Sequence, residues 1–115
     1  MPITNRKEAD DVLALVHAVA PSGRSGIEPG TLAHRVFIES NRVEKLLRRH
    51  ADYFVRVGDA RKFALNRFGE FNGSVKRIIA DVEQSYKRSE RNRSVSLVLM
   101  ISVMVVLSGV IALQL

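Results

Sequence analysis

The chain has 115 residues, a formal net charge of +6 and no cysteine. Without cysteine, disulfide bonds and thiolate zinc sites are excluded, and the length leaves room for one small folded domain rather than two. The positive charge is concentrated in two blocks, residues 35–67 with a net charge of +5 and residues 87–93 with a net charge of +3. Because a stretch of opposite sign separates them, we interpret the two blocks separately.

Three helices are predicted before the first strand. The first covers Arg6–Ala20, where apolar residues recur at helical spacing until Pro21 ends the pattern. After the loop PSGRSG, the stretch IEPGTLAHRVF predicts a short extended entry and a second helix with Pro29 in its first turn. The apolar residues of these two helices that we expect in the core are Ala9, Val12, Leu13, Val16, Val19 or Ala20, Leu32, Ala33 and Val36.

The third helix follows after a very short break and runs to about Arg49. Ser40 or Asn41 can cap its N-terminus, and Glu44 would reach back to the backbone if Asn41 is the cap. The side chains expected in the core are Val43, Leu46 and Leu47. The basic residues expected on its outer surface are Arg42, Lys45, Arg48 and Arg49.

A β-hairpin is predicted next. Phe54–Val57 and Lys62–Leu65 are short and rich in β-branched and aromatic residues, and Gly58-Asp59 lies between them at a turn. Basic side chains are expected at the exposed edge and tip of this hairpin, namely Arg56, Arg61, Lys62 and Arg67.

A long amphipathic helix is predicted from about Asn72. Its apolar stripe consists of Val75, Ile78, Ile79, Val82 and Tyr86. Two interpretations remain open at this point: the stripe packs on the domain's own core, or it pairs two copies into a homodimer.

Ser94–Leu115 contains no charged residue. As a helix it would be roughly 33 Å long, enough to cross a hydrocarbon core of about 30 Å. The segment KRSERNR precedes it, and positive flanks stay on the cytoplasmic side and attract anionic lipid headgroups. We therefore expect a single-pass, tail-anchored membrane protein with a cytoplasmic N-terminal domain and the membrane flank Lys87, Arg88, Arg91 and Arg93.

The stretch TLAHRVFIESNRVEKLLRRHADYFVRVGDARKFALNRFGE resembles the winged helix-turn-helix core of bacterial transcription regulators. The resemblance rests on Leu32-Ala33 in the second helix, Val43/Leu46/Leu47 in the third, the strand Phe54–Val57, the charged turn Asp59/Arg61 and the closing Leu65/Gly69. It implies a mainly α fold with a small β-hairpin. The expected organisation is a winged-helix domain at residues 1–70, an amphipathic helix with a basic juxtamembrane segment at 71–93 and one C-terminal transmembrane helix at 94–115.

The resemblance implies double-stranded DNA as the partner, read by a transcription regulator or held by a DNA–membrane tether. The third helix would enter the major groove, with Asn41 and Arg42 near the bases, while the hairpin would act as the wing. The residues expected to bind DNA are Asn41, Arg42, Lys45, Arg48, Arg49, Arg56, Arg61 and Lys62. The alternative is a membrane-anchored winged-helix module that binds another protein, because fold alone does not decide function.

Enzymatic chemistry is not expected. His17, His34 and His50 are far apart in sequence, and none has the spacing of a metal-ligand pair or lies beside a nucleophile. The seven glycines are scattered at turns and form no phosphate-binding loop. We therefore predict no catalytic residue, no metal and no cofactor, and we expect His17 and His50 to have structural roles.

Overall fold

The computed structural model describes residues 3–91. They form a mainly helical domain with one two-stranded antiparallel hairpin, which confirms the predicted composition of the fold. The elements in chain order are α1 (Arg6–Val19), a 3₁₀ turn (Ala20–Ser22), α2 (Pro29–Val36), α3 (Ser40–Arg49), β1 (Phe54–Arg56), β2 (Phe63–Leu65) and α4 (75–91). The predicted span 94–115 and Arg93 lie outside the described residues. Within residues 3–91, no helix has both the length and the apolar character needed to cross a bilayer.

Helix α1 begins where Asn5 caps it, since the Asn5 side chain accepts a hydrogen bond of 2.7 Å from the Glu8 backbone N–H. The α-helix ends at Val19, and Pro21 lies in the 3₁₀ turn that follows. Leu15 is fully buried, whereas Leu13, which was predicted to be in the core, is only half-buried. The buried face is therefore rotated toward the positions of Glu8, Val12, Leu15 and Val19.

Helices α2 and α3 meet at a tight turn. Pro29 lies in the first turn of α2, as predicted, and Phe37 ends that helix in the left-handed conformation with φ of 57°. The predicted cap of α3 is wrong. Glu39 occupies the cap position without a side-chain hydrogen bond, Ser40 is already helical, and Glu44 pairs with Arg48 one turn on.

The hairpin pairs Phe54 with Leu65 and Arg56 with Phe63. Ile27 adds a third extended segment, because its N–H donates to the Phe63 carbonyl and its carbonyl accepts from the Phe63 N–H, both at 2.9 Å. This contact requires glycine at position 26. A Cβ there would lie 2.9 Å from the Phe63 carbonyl oxygen, and φ is +75°.

Helix α4 starts at residue 75, later than the predicted Asn72. Ile78 and Val82 are fully buried in the core, and Val75 and Tyr86 pack against it. Four of the five stripe residues therefore pack on the domain's own core, as in the first of the two interpretations, and Ile79 is half-buried. Core residues from α1, α2, α3, both strands and α4 form one continuous cluster, which fixes the hairpin and α3 relative to each other.

Candidate nucleic-acid interface

A groove of about 640 Å³ lies between α3, the start of α2 and the hairpin. Three arginines line it, Arg48 from α3 and Arg56 and Arg61 from the hairpin. Arg48 from α3 and Arg61 from the hairpin therefore line the same space, although they are 13 positions apart in sequence. Glu28 and Glu44 line the same groove, so it is not uniformly positive.

The outer surface of α3 continues from this groove. Asn41, Lys45, Arg48 and Arg49 line one shallow depression together with Glu44. Arg48 is 69% exposed and bonds to the Glu44 carboxylate at 2.7 Å, an exposed pair that contributes little to stability. A polyanion can therefore replace Glu44 as the partner of Arg48 at small cost.

Arg42, which was predicted on the outer surface of α3, is partly exposed and paired with α1. Its Nε donates to Asp11 Oδ2 of α1 at 2.8 Å, and its side chain is 37% exposed. Position 42 borders the buried face of α3, so an arginine there reaches the neighbouring helix. A side chain held in this way positions α3 against α1.

Arg49 is also drawn toward α1. Its guanidinium lies 3.4 Å from Glu8 Oε1, and this carboxylate is buried. The same Glu8 oxygen is 3.3 Å from His50 Nε2, and His50 is only 3% exposed. Burial lowers the pKa of His50, and the hydrogen bond and negative charge of Glu8 only partly oppose this. The burial of His50 agrees with its predicted structural role, whereas His17, for which the same role was predicted, is exposed.

The buried polar cluster extends from His50 to α4. The rings of His50 and Tyr53 stack with centroids 5.7 Å apart. The Tyr53 hydroxyl donates to Asp81 Oδ2, and burial together with this hydrogen bond raises the pKa of Tyr53. This cluster was not predicted, because its members are far apart in the chain; Glu8 and His50 are 42 positions apart.

The hairpin residues differ in their exposure. Arg56 and Arg61 are exposed, and Arg56 Nε donates to the Ala60 carbonyl at 3.3 Å across the turn. Lys62 is half-buried. Between residues 3 and 91, no carboxylate lies within ion-pair distance of Lys45, Arg56, Arg61 or Lys62. These four cations remain available to an external anion.

The residues of the predicted membrane flank that the structure describes lie on a separate surface of α4. Lys87, Arg88 and Arg91 are exposed and line a depression with Gln84 and Glu83. Residues 84, 87, 88 and 91 recur at helical spacing, so these side chains share one face of α4. In residues 3–91, no group of three or more His, Asp or Glu residues is placed to hold a metal ion.

The chain matches no protein-family model, no curated protein and no solved structure.

The Arg42–Asp11 contact leads to a stability prediction. Replacing either residue with Ala should lower the free energy of unfolding by about 0.5–1 kcal/mol, because the pair is partly screened by water. The double variant should lose less than the sum of the single losses, since either replacement already breaks the contact. Thermal or denaturant unfolding measures both. The matched control is Arg48→Ala, which removes an exposed ion pair. If Arg48→Ala lowered the free energy of unfolding as much as Arg42→Ala, a positioning role for Arg42 would be contradicted.

Proposed function

We propose that the chain is a membrane-anchored winged-helix protein that binds double-stranded DNA, as a transcription regulator or a DNA–membrane tether. The observation that carries the proposal is the common groove of Arg48, Arg56 and Arg61. A duplex lying on α3 would meet the hairpin on its flank, so one phosphate backbone can contact cations from both elements.

The order of elements supports the winged-helix assignment. Helix α1 is followed by the extended Ile27, then by α2, α3 and the hairpin, with Ile27 bridged to Phe63 at the edge of β2. Helices α2 and α3 are joined by only three residues, 37–39. Helix α3 is then the element that would enter the major groove, and the turn at residues 57–62 would form the wing.

The charge distribution supports a phosphate-binding role for this surface. Lys45, Arg48, Arg56 and Arg61 would contact the backbone, where Arg and Lys contribute most of the sequence-independent affinity. Asn41 lies exposed at the start of α3, where base contacts are made. Arg42 would hold α3 in place through Asp11 rather than read a base.

The membrane part of the proposal rests on the sequence of residues 94–115 and their basic flank. We expect a reporter fused at the N-terminus to be cytoplasmic, and the protein to sediment with membranes and resist carbonate extraction. Replacing Lys87, Arg88, Arg91 and Arg93 with Gln should make the orientation mixed, because the charge bias is removed. Recovery of the unmodified protein in the soluble fraction would overturn the membrane anchor.

The experiment that tests the proposed function is selection of bound duplexes from a random-sequence library by the full chain in lipid nanodiscs, at 0.1 M salt. A DNA reader should enrich a defined motif, whereas a tether should retain duplexes without sequence preference and lose them as salt rises. No retention at 0.05 M salt would overturn both versions.

A protein-binding role is the second candidate, and one observation favours it. Phe37 and Phe68 are 94% and 95% exposed. Exposed aromatic side chains are more typical of protein interfaces than of phosphate-binding surfaces. Lack of DNA retention together with saturable binding of a protein ligand would favour this alternative.

A further inference from the structure

The outer face of the hairpin carries a second groove, which shares only Arg56 with the groove beside α3. Val55 and Ala64 are paired across the strands, and Val57 follows on the same face of β1. The loop after α1 covers one side of this face, and the loop after β2 borders the other. The resulting groove of about 500 Å³ has mainly apolar walls, formed by Val55, Val57, Ala64, Leu65 and Phe68.

Phe68 is presented by an ordered turn. The Asn66 carboxamide oxygen accepts hydrogen bonds from the backbone N–H groups of Phe68 and Gly69, both at 3.0 Å. The Asn66 amide nitrogen donates to the Ala51 carbonyl at 3.1 Å. Phe71, three residues on, is buried with its ring centroid 5.4 Å from that of Tyr53. Contacts on both sides of Phe68 therefore fix the loop, while its own ring is 95% exposed.

The charged residues that line this groove are all positive. Arg24, Arg56 and Arg67 line it, and no Asp or Glu does so in the described part of the chain. The groove beside α3 differs in this respect, because Glu28 and Glu44 line it. Three guanidinium groups around an apolar floor complement a ligand that has an apolar side chain flanked by carboxylates.

We propose that this outer-face groove binds an acidic segment of a partner protein through one apolar anchor side chain. The anchor would pack between Phe68 and Val55, and carboxylates on either side of it would pair with Arg24 and Arg67. A concave groove favours a protruding peptide side chain over a flat lipid surface. The proposal does not depend on DNA binding, since its residues, apart from Arg56, belong to a different surface.

The probe is a set of nine-residue synthetic peptides, each with a central Leu, Phe or Trp flanked by Glu, Gln or Lys. They are titrated into the full chain in zwitterionic bicelles, and backbone and methyl NMR shifts are followed. Peptides with Glu flanks should bind, with shift changes at Val55, Ala64, Leu65 and Phe68. Gln flanks should weaken binding, because they leave the arginines without a charged partner. Lys flanks should abolish it, because they repel the arginines.

Matched variants identify the residues responsible. Phe68→Ala should lower affinity for the Glu-flanked peptides about fivefold or more, as expected for an anchoring aromatic residue. The double variant Arg24→Ala/Arg67→Ala should have an effect of similar size. The controls are Phe37→Ala, an equally exposed aromatic residue, and Arg48→Ala/Arg61→Ala, which removes the same charge. Both controls should retain full affinity.

Three outcomes would overturn the proposal. The first is absence of peptide binding. The second is an equal loss of affinity in the test and control variants, which would show unspecific charge attraction. The third is a response to lipid instead of peptide. If Phe68 and the arginines change when the bicelles are made anionic, and peptides produce no further change, the face is a lipid-docking surface. DNA retention by the Phe68→Ala variant would be unaffected in all three cases, so the two proposals can fail separately.

Discussion

Replacing Arg48 and Arg61 together with Ala should lower affinity for duplex DNA by about a hundredfold at 0.1 M salt. Each guanidinium that neutralises a phosphate releases condensed counterions, which is worth about tenfold at that salt concentration. The slope of log affinity against log salt should fall by about two units for the same reason. The measurement is fluorescence anisotropy of a labelled duplex with the full chain in nanodiscs, from 0.05 to 0.3 M salt.

The matched control is Lys76→Ala/Arg77→Ala on α4. It removes the same two charges from exposed positions away from the common groove. If the effect of the first variant came only from net charge, the control would lose affinity equally, and the proposed surface would be wrong. The folded domain should be preserved in both variants, since Arg48, Arg61, Lys76 and Arg77 are exposed.

Two single replacements distinguish a side chain that reads the DNA sequence from one that contacts only the phosphate backbone. Asn41→Ala should change which sequences are preferred, at a cost of about 1–3 kcal/mol on the preferred site if it makes a bidentate base contact. Arg48→Ala should instead weaken binding to all duplexes to a similar extent. A protein in which both replacements have the same uniform effect is not a sequence reader, although it can still be a tether.

Local sequence patterns were sufficient to predict the elements that form the candidate interface. The inward positions Val43, Leu46 and Leu47 follow from helical spacing and are buried as predicted. The hairpin was also predicted because β-branched and aromatic residues flank a turn at Gly58-Asp59. These features depend on residues within a few positions of one another, so a single sequence contains them.

Other parts of the site depend on partners that are distant in sequence. The contact of Arg42 with Asp11 was not predicted, because helical spacing alone cannot reveal a partner 31 residues earlier in the chain. Ile27 was predicted only as part of an extended entry to α2. Its pairing with Phe63 was not predicted, because α2 and α3 lie between the two residues in the chain. The cap of α3 was predicted at Ser40 or Asn41 because both side chains suit a cap, but the helix begins at Ser40 with Glu39 in the cap position.

Lowering the pH from 7 to 5 should destabilise the folded domain, and His50 should account for much of the loss. Because burial lowers the pKa of His50 in the folded protein, the unfolded chain binds its proton first. The stabilisation from neutral His50 is therefore fully present above about pH 6.5, the pKa of histidine in the unfolded chain. It is lost as the pH falls below that pKa, until His50 is protonated in the folded protein as well. The maximum slope from one such group is about 1.4 kcal/mol per pH unit.

The variant that tests this is His50→Gln, which keeps a donor for the Glu8 carboxylate but cannot titrate. It should be less stable than the unmodified chain at pH 7.5, by about 1 kcal/mol, because stacking on Tyr53 is lost. Its stability should change much less between pH 7 and 5. Thermal unfolding of the full chain followed by circular dichroism at 222 nm measures both effects.

His17→Gln and His34→Gln are the matched controls, because both histidines are exposed. They should retain the pH dependence of the unmodified chain. The Glu8 carboxylate acts in the opposite direction on His50, but its charge is shared with Arg49, whose guanidinium lies 3.4 Å from the same oxygen. If stability instead rose as the pH fell from 7 to 5, attraction to Glu8 would outweigh burial, and His50 would be an ion-pair partner rather than a buried neutral side chain.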